Sequence, residues 1–308
     1  MGDLLEYALF MALRGIARRL SFRGADRLGT LLGRSVLVLT RYRRGVTMDN
    51  LRRAFPDRPE AELRRIALGA YENYGRSMVL MFWSSAQTPE TIASLTRFDD
   101  EALVRSCLAE RKGFIYLSGH FGAWEILAQS FAITFAPLTI VVQSQRNKRV
   151  DAVLNADRCR FGSTTVVMSA AAREVLSILR QGKAAGMLGD QSGPIQAAWV
   201  EFFGRPCPTH RGPALFTLKT GCALVMFFPI RQADGTYRVK SERVNLDGIS
   251  GSGPSAVDEL TRRHTAILER YIRMCPDHWL WMHRRWKHEA LHTASHAAEA
   301  KVSGEETG

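Results

Sequence analysis

His120 and Glu125 stand five residues apart in Leu-Ser-Gly-His-Phe-Gly-Ala-Trp-Glu-Ile, residues 117–126, directly after a short apolar run, Gly113–Leu117. A neutral imidazole backed by a carboxylate is a general base. The acid fixes the tautomer and stabilises the imidazolium that forms when a hydroxyl gives up its proton. Inside one helix this offset would turn Glu125 about 140° away from His120. His120 must therefore precede the helix, in a turn for which Gly119 and Gly122 supply backbone freedom. Ligands of open α/β sheets bind beyond the carboxyl ends of the strands, and His120 lies just past such an end. No G-x-S-x-G elbow accompanies the pair, so a covalent acyl-enzyme is not required and direct attack by an acceptor is simpler. A core histidine hydrogen-bonded to a buried acid would leave the same spacing. A zinc site would need a third ligand at HExxH-like spacing, which is absent from the sequence, so neither metal nor cofactor is expected.

The elements that must position this pair alternate. β-rich runs at Gly113–Leu117, Leu138–Val142, Thr164–Met168, Ala184–Leu188 and Ala223–Ile230 are separated by helical periods near 123–133, 148–160, 170–181 and 211–220. That alternation predicts an α/β fold, a mostly parallel central sheet flanked by helices. A further run, Thr236–Val244, is expected to close the sheet edge. Helices are expected over Pro59–Trp83 and Ser255–Cys275, the second ending before Pro276.

The chain of 308 residues carries a formal charge of +12, so its surface favours anionic partners such as nucleic acid, phospholipid headgroups or an acidic carrier protein. Residues 1–60 hold twelve Arg, no Lys and six acids, mixed with long apolar segments, a combination that suits lipid better than DNA. Leu9, Leu13, Ile16 and Leu20 fall at helical spacing, with Arg14, Arg18 and Arg19 available to headgroups, so an in-plane amphipathic helix is expected. Packing on the protein's own core is the alternative. Neither early apolar block reaches the roughly 18–20 residues that cross a bilayer, and the start lacks the grammar of a signal peptide. The five cysteines are widely spaced without a CxxC pair, which argues for a reducing compartment. The division expected is 1–45 as membrane-associated helices, 46–288 as the catalytic domain and 289–308 as a disordered tail.

Gly189-Asp190-Gln191-Ser192-Gly193, Glu201-Phe202-Phe203-Gly204 and Trp279-Leu280-Trp281-Met282-His283-Arg284-Arg285-Trp286-Lys287 extend the pattern begun by Asn50–Pro56 and His120–Glu125 over almost the whole chain. In these motifs the sequence resembles the bacterial late lipid A acyltransferases, the lauroyl and myristoyl transferases of the lysophospholipid acyltransferase superfamily. The resemblance implies a glycerolipid acyltransferase-like fold. It also implies transfer of an acyl chain from acyl carrier protein, or acyl-CoA, to a hydroxyl of a membrane glycolipid at the cytoplasmic face of the inner membrane. His120 would then be the base and Glu125 its partner. By position, Arg158 matches the arginine of the family's R-x-R-x-G-like stretch and Asp190 the aspartate of its D-x-x-G turn. Mycobacterial phosphatidylinositol mannoside acyltransferases share the superfamily, so the match speaks to reaction class better than to acceptor, and a lysophospholipid or phosphoglycolipid acceptor is the alternative. Val142-Gln143-Ser144 stands where Tyr-Arg-Pro is common, with Arg146 or Arg149 available to replace the basic contact. Asp190-Gln191-Ser192 stands in place of Asp-Gln-Asp or Asp-His-Asp.

A tetrahedral intermediate needs donors aimed at its oxyanion, and Arg158 or main-chain N–H groups after His120 are candidates. Arg158 and Arg160 diverge on a helix, so one could clamp a phosphate while the other meets solvent. Asp190 could position the acceptor or hold Arg158, or serve only an Asx-turn; Gln191 is grouped with it as substrate-facing. Trp124, Phe202 and Phe203 are candidates to line an acyl pocket, although an apolar strand is more often plain core. Thr209 reads as a helix cap. Trp279, Trp281 and Trp286, interleaved with Arg284, Arg285 and Lys287, suit a membrane-interface belt. The competing class is a non-catalytic basic binding protein. No RNP-type, helix-turn-helix or zinc-finger spacing supports nucleic acid, so no nucleic-acid partner is expected.

Overall fold

The computed structural model describes residues 2–290. Its N-terminal part is helical: α1 (Gly2–Ala17), α2 (Phe22–Ser35), α3 (Arg44–Ala54), α4 (Glu60–Ser84) and the short α5 (Pro89–Ala93). Alternation then begins with β1 (Thr96–Phe98), α6 (Glu101–Ala109), β2 (Phe114–Ser118), α7 (Trp124–Thr134), β3 (Leu138–Val142), α8 (Lys148–Arg158), β4 (Thr164–Val167), α9 (Ala171–Arg180) and β5 (Ala184–Leu188). A hairpin, β6 (Ala198–Phe202) and β7 (Arg205–Thr209), precedes α10 (Gly212–Thr220), β8 (Ala223–Arg231), β9 (Tyr237–Arg243) and α11 (Pro254–Met274).

Seven strands form one sheet in the order β1-β9-β8-β2-β5-β3-β4, with β2 at its centre. β2 runs parallel to both β5 and β8, and β3 runs parallel to β5 and β4. β9 returns antiparallel along β8. It is not the edge strand that its sequence suggested: the three-residue β1 pairs with it, too short to carry a periodic signal of its own.

Side chains of β2 alternate between two cores. Phe114 and Tyr116 meet Val104, Cys107, Leu127 and Phe131 from α6 and α7, while Ile115 and Leu117 join Val175, Leu179, Ala214 and Leu260 from α9 to α11. Because both faces are covered, every residue of β2 is buried, which is why the strand reads as a continuous apolar run.

α2 lies against α4 with almost no gap. A Cβ on Gly33 would sit 2.1 Å from the Tyr71 carbonyl oxygen, and one on Gly29 would sit 2.5 Å from the Arg76 Cα. α1 is tied to the body by the Phe10–Phe82 ring contact and by Arg14, which pairs with Asp157 of α8 at 2.6 and 2.9 Å. Arg14 therefore does not face headgroups as its spacing suggested. Leu13 and Leu20 pack inward, whereas Leu9 and Ile16 stay exposed. No described helix is long and apolar enough to cross a membrane. The tail expected over 289–308 lies outside the described residues from 291 onward, and Glu289 belongs to the folded body, held by Arg53 and Arg205.

Candidate active site

β2 ends at Ser118 and β5 at Leu188, and these residues are register partners in adjacent parallel strands. Neighbouring strands are about 4.8 Å apart, so residues at equal offsets beyond the two ends are brought side by side. His120 and Asp190 each lie two positions past their strand. The Gly189 N–H donates to the Ser118 carbonyl at 3.0 Å and extends the pairing into the turn. Gly119 leaves room for the close approach, since a Cβ there would lie 3.2 Å from the Asp190 side chain and press on it. Gly122 is needed for conformation as well: its φ is +53° and a Cβ would meet the Pro229 carbonyl oxygen at 2.3 Å.

The Asp190 carboxylate is 2% exposed. Its Oδ2 accepts from the His120 main-chain N–H at 2.8 Å and from the Trp279 indole N–H at 2.9 Å. Oδ1 meets His120 Nδ1 at 2.8 Å. Burial alone would raise the Asp190 pKa, but the charge and hydrogen bonds of His120, together with the Trp279 N–H, bring it down to about 2. An ionised carboxylate can only accept, so Nδ1 carries the proton and the lone pair of the neutral ring sits on Nε2. Among the described residues, Nε2 has no hydrogen-bond partner, and the side chain keeps 22% of its surface. Burial pushes the His120 pKa down; Asp190, with help from the charge of Glu125, outweighs both burial and Arg158 and leaves it above the ordinary value.

Glu125 is thus not the acid that grips the ring. It occupies the first turn of α7, and its carboxylate is held by Arg158 at the end of α8, with Nε to Oε2 at 3.1 Å and Nη2 to Oε1 at 2.6 Å. The helix start turns Glu125 toward α8, whereas Nδ1 of His120 faces the β5 side. Arg158 correspondingly has two of its five N–H groups on Glu125, so its place at the site is set by that carboxylate. The pair still flanks the base, close enough for both charges to act on it. Trp124 closes one side, its ring edge-on to His120 at 5.2 Å.

The remaining candidates have structural partners. Arg160 donates to the Ser84 carbonyl at 2.7 Å and covers Phe161, joining the end of α8 to α4. The Gln191 carbonyl accepts from Arg285 at 3.2 Å. Phe202 is fully buried between Trp279 and Trp286. Phe203 occupies the β6–β7 turn at φ +54°, its N–H donating to Glu269 at 2.6 Å. Both rings belong to an aromatic core. Thr209 is not a helix cap, because it ends β7 and its hydroxyl accepts from Arg285 at 2.6 Å. The expected interface belt is likewise overturned: Trp279, Trp281 and Trp286 are 1%, 0% and 5% exposed, and Arg285 is 0% exposed. Their polar ends find internal acceptors, namely Asp190, the Pro276 carbonyl and the Phe202 carbonyl, so the stretch braces the site from within.

A family model described as bacterial lipid A biosynthesis acyltransferase matches residues 3–288. The chain belongs to this family. It is similar to the lipid A biosynthesis lauroyltransferase of Escherichia coli (strain K12), with 25% identity over 268 residues, 85% of this chain and 84% of the relative. The lipid A biosynthesis palmitoleoyltransferase of the same strain is 20% identical over 268 residues, 84% of each chain. A lipid A biosynthesis acyltransferase of Haemophilus influenzae (strain ATCC 51907 / DSM 11121 / KW20 / Rd) is 22% identical over 266 residues, 85% of this chain and 81% of the relative.

In this lipid A acyltransferase homologue, residues other than the sequence candidates complete the site. Trp279 supplies the third N–H to Asp190. The Leu280 N–H donates to the His120 carbonyl at 3.1 Å, and Asn50 of α3 holds the carbonyls of Trp281 and His283 at 2.8 and 2.7 Å. The signal was present in the Trp-rich stretch, but the mixture of aromatic and basic residues read as surface.

Proposed function

We propose that this protein moves a fatty acyl chain from an acyl thioester, acyl carrier protein or acyl-CoA, to a hydroxyl of a lipid A-like glycolipid, working at the cytoplasmic face of the inner membrane. The observation that carries the reading is the locked tautomer of His120, whose Nε2 has no hydrogen-bond partner among the described residues and whose side chain keeps some exposed surface at the carboxyl end of the central strand. Nε2 takes the proton of the acceptor hydroxyl as its oxygen bonds to the thioester carbon. The carbonyl π pair moves to oxygen. When that oxyanion collapses, the C–S bond breaks and the thiolate takes the proton back from Nε2, so the enzyme ends unchanged. Asp190 holds the imidazolium between the two transfers. Glu125, oriented by Arg158, adds negative potential from the other side.

Residues 1–45 act as the membrane-facing part in this proposal, ahead of a catalytic domain that runs to 288. Leu5, Leu9 and Ile16 leave an apolar stripe outward on α1. Beyond α2 the chain makes a π-helical turn, Val36–Thr40, whose Val38 and Leu39 are 62% and 78% exposed beside Arg41, Arg43 and Arg44. Apolar tips flanked by guanidinium groups suit insertion among anionic headgroups.

The test is mass spectrometry of lipids from cells with and without the protein, alongside transfer from labelled acyl thioester by purified wild type and His120→Ala. One acyl-chain mass difference in the glycolipid, with transfer abolished in the variant, is expected. A mass change confined to phospholipids would replace the acceptor. Equal rates for the two proteins would end the general-base reading.

A further inference from the structure

A second imidazole stands at the same rim. His283 lies three residues beyond Leu280, whose N–H is bonded to the His120 carbonyl at 3.1 Å. Its Nε2 accepts from the Ser192 N–H at 3.0 Å, two residues beyond the aspartate that holds His120. The turn Asp190-Gln191-Ser192 therefore fixes both rings, His120 by a carboxylate and His283 by a main-chain donor. A main-chain N–H cannot accept, so Nε2 of His283 must carry the lone pair and Nδ1 the proton. Among the described residues Nδ1 meets no acceptor, and the side chain is half-buried. Its carbonyl is clamped by Asn50 at 2.7 Å, so the segment that presents the ring is held as well.

We infer that His283 is the neutral hydrogen-bond donor that stabilises the oxyanion formed at the thioester carbonyl, with Nδ1–H as the donating group. The inference rests on the acyl-transfer reading above and names an oxyanion donor for it. Two N–H groups of Arg158 are taken by Glu125, and the main-chain N–H groups of Phe121 and Gly122 by the Gly119 and His278 carbonyls. A charge developing on the carbonyl oxygen within reach of Nε2 of His120 calls for a donor on the same rim. His283 satisfies the requirements of such a group. Its orientation is set before substrate arrives, it is near enough to His120 and Asp190 for their charges to act on it, and it remains uncharged at neutral pH. Burial pushes its pKa down to about 4 against the raising charge of Asp190, with Arg285, His120 and Lys287 adding to the effect of burial. The division of labour is then a base with a free lone pair and a donor with a free proton: both rings are the Nδ1–H tautomer, one held at Nδ1 by a carboxylate and the other at Nε2 by a main-chain N–H, so opposite ends are left open.

The test compares wild type, His283→Ala and His283→Asn, whose amide N–H falls near the position of Nδ1. Two rates are measured: transfer to glycolipid, and hydrolysis of the acyl thioester by water, which needs no glycolipid. Loss of an oxyanion donor predicts that His283→Ala lowers kcat for both by the same factor, on the order of 10²–10³. KM and the pH at which the rate rises should not move, and His283→Asn should recover at least tenfold of the loss. A fall in transfer alone, with a raised KM for glycolipid, would overturn the inference in favour of acceptor binding. A displaced pH profile would overturn it in favour of an effect through His120, and rates equal to wild type would overturn it outright. A wild-type protein that neither transfers nor hydrolyses would sink the acyl-transfer reading itself. Thermal melting of each variant separates these outcomes from unfolding.

Discussion

His120 and Asp190 are joined at two points, the ring Nδ1 to one carboxylate oxygen and the main-chain N–H to the other, both at 2.8 Å. The main-chain bond fixes where the aspartate stands, and the ring bond fixes which nitrogen of the histidine is basic. One carboxylate therefore sets both the position and the protonation pattern of the base.

Asp190→Asn tests that arrangement sharply. The oxygen of the amide must take the Oδ2 place, since two N–H groups point there, which leaves the amide NH₂ facing Nδ1. That nitrogen then becomes the acceptor and the proton moves to Nε2, so the base is lost while the fold stays. Turnover should fall on the order of 10²- to 10⁴-fold, with an unaltered circular dichroism spectrum. Activity within threefold of wild type would exclude Asp190 as the orienting acid.

The rate should climb with pH as His120 loses its proton, with the midpoint above the ordinary 6.5 because Asp190 raises the pKa. In Asp190→Ala the raising influence of that carboxylate is gone while burial remains, so the residual rate should climb at lower pH. A profile that shifts upward would contradict the sign of this interaction. The rate of thioester hydrolysis against pH reads it directly.

Glu125→Ala should cost more in stability than a surface change. The carboxylate and Arg158 keep only 8% and 18% of their side-chain surface, and a guanidinium left without its partner costs about 3–5 kcal/mol when fully buried, less here because Arg158 retains some water. The double variant Glu125→Met with Arg158→Met should recover much of that stability without recovering activity. Urea denaturation of the three proteins measures the coupling.

His264 of α11 is 2% exposed, and among the described residues its Nε2 has no hydrogen-bond partner. Burial, with Arg285 adding to it, lowers its pKa to about 3. The unfolded chain binds this proton and the folded chain does not, so stability is full above about 6.5, is lost as pH falls, and stops falling near 3. Between those limits the site contributes a slope of about 1.4 kcal/mol per pH unit. His264→Leu should flatten the acid limb of a melting-temperature profile, and an unchanged limb would show that other groups govern it.

Helix contact and membrane contact can be separated by substitution. Gly33→Ala should destabilise by about 1–3 kcal/mol through the clash with Tyr71, whereas Gly45→Ala, with open space around its Cα, should be neutral or stabilising. Leu39→Glu should leave the melting temperature alone and weaken flotation with anionic vesicles by roughly tenfold or more, the effect of withdrawing one leucine side chain from an apolar environment. Point changes are preferable to deleting the N-terminus, because α1 also covers Phe82 and Asp157.

The central strands and the covering helices were legible because each carries a run or a period long enough to exceed noise: β2, β3 and β5 fall within a residue of their expected bounds. β1 and the β6–β7 hairpin were not, one being three residues long and the other interrupted by Pro206 and Pro208. His120 was legible as well, since a histidine between glycines at the end of an apolar strand has few other uses.

What the sequence determined by itself is the identity of the base, the strand that delivers it and the alternation that builds the sheet, because these depend on neighbours within about ten residues. Which acid serves the base was decided by tertiary structure. Glu125 is close in sequence but is turned by its helix toward Arg158; Asp190 is 70 residues away yet arrives beside His120, because parallel strands in register carry equal offsets to equal heights. The same holds for the tryptophans and Arg285, whose composition suits a surface and whose burial follows from acceptors supplied by β6, β7, the turn after β5 and the Pro276 carbonyl that follows α11. Strand order is a property of the whole chain, and local spacing does not encode it.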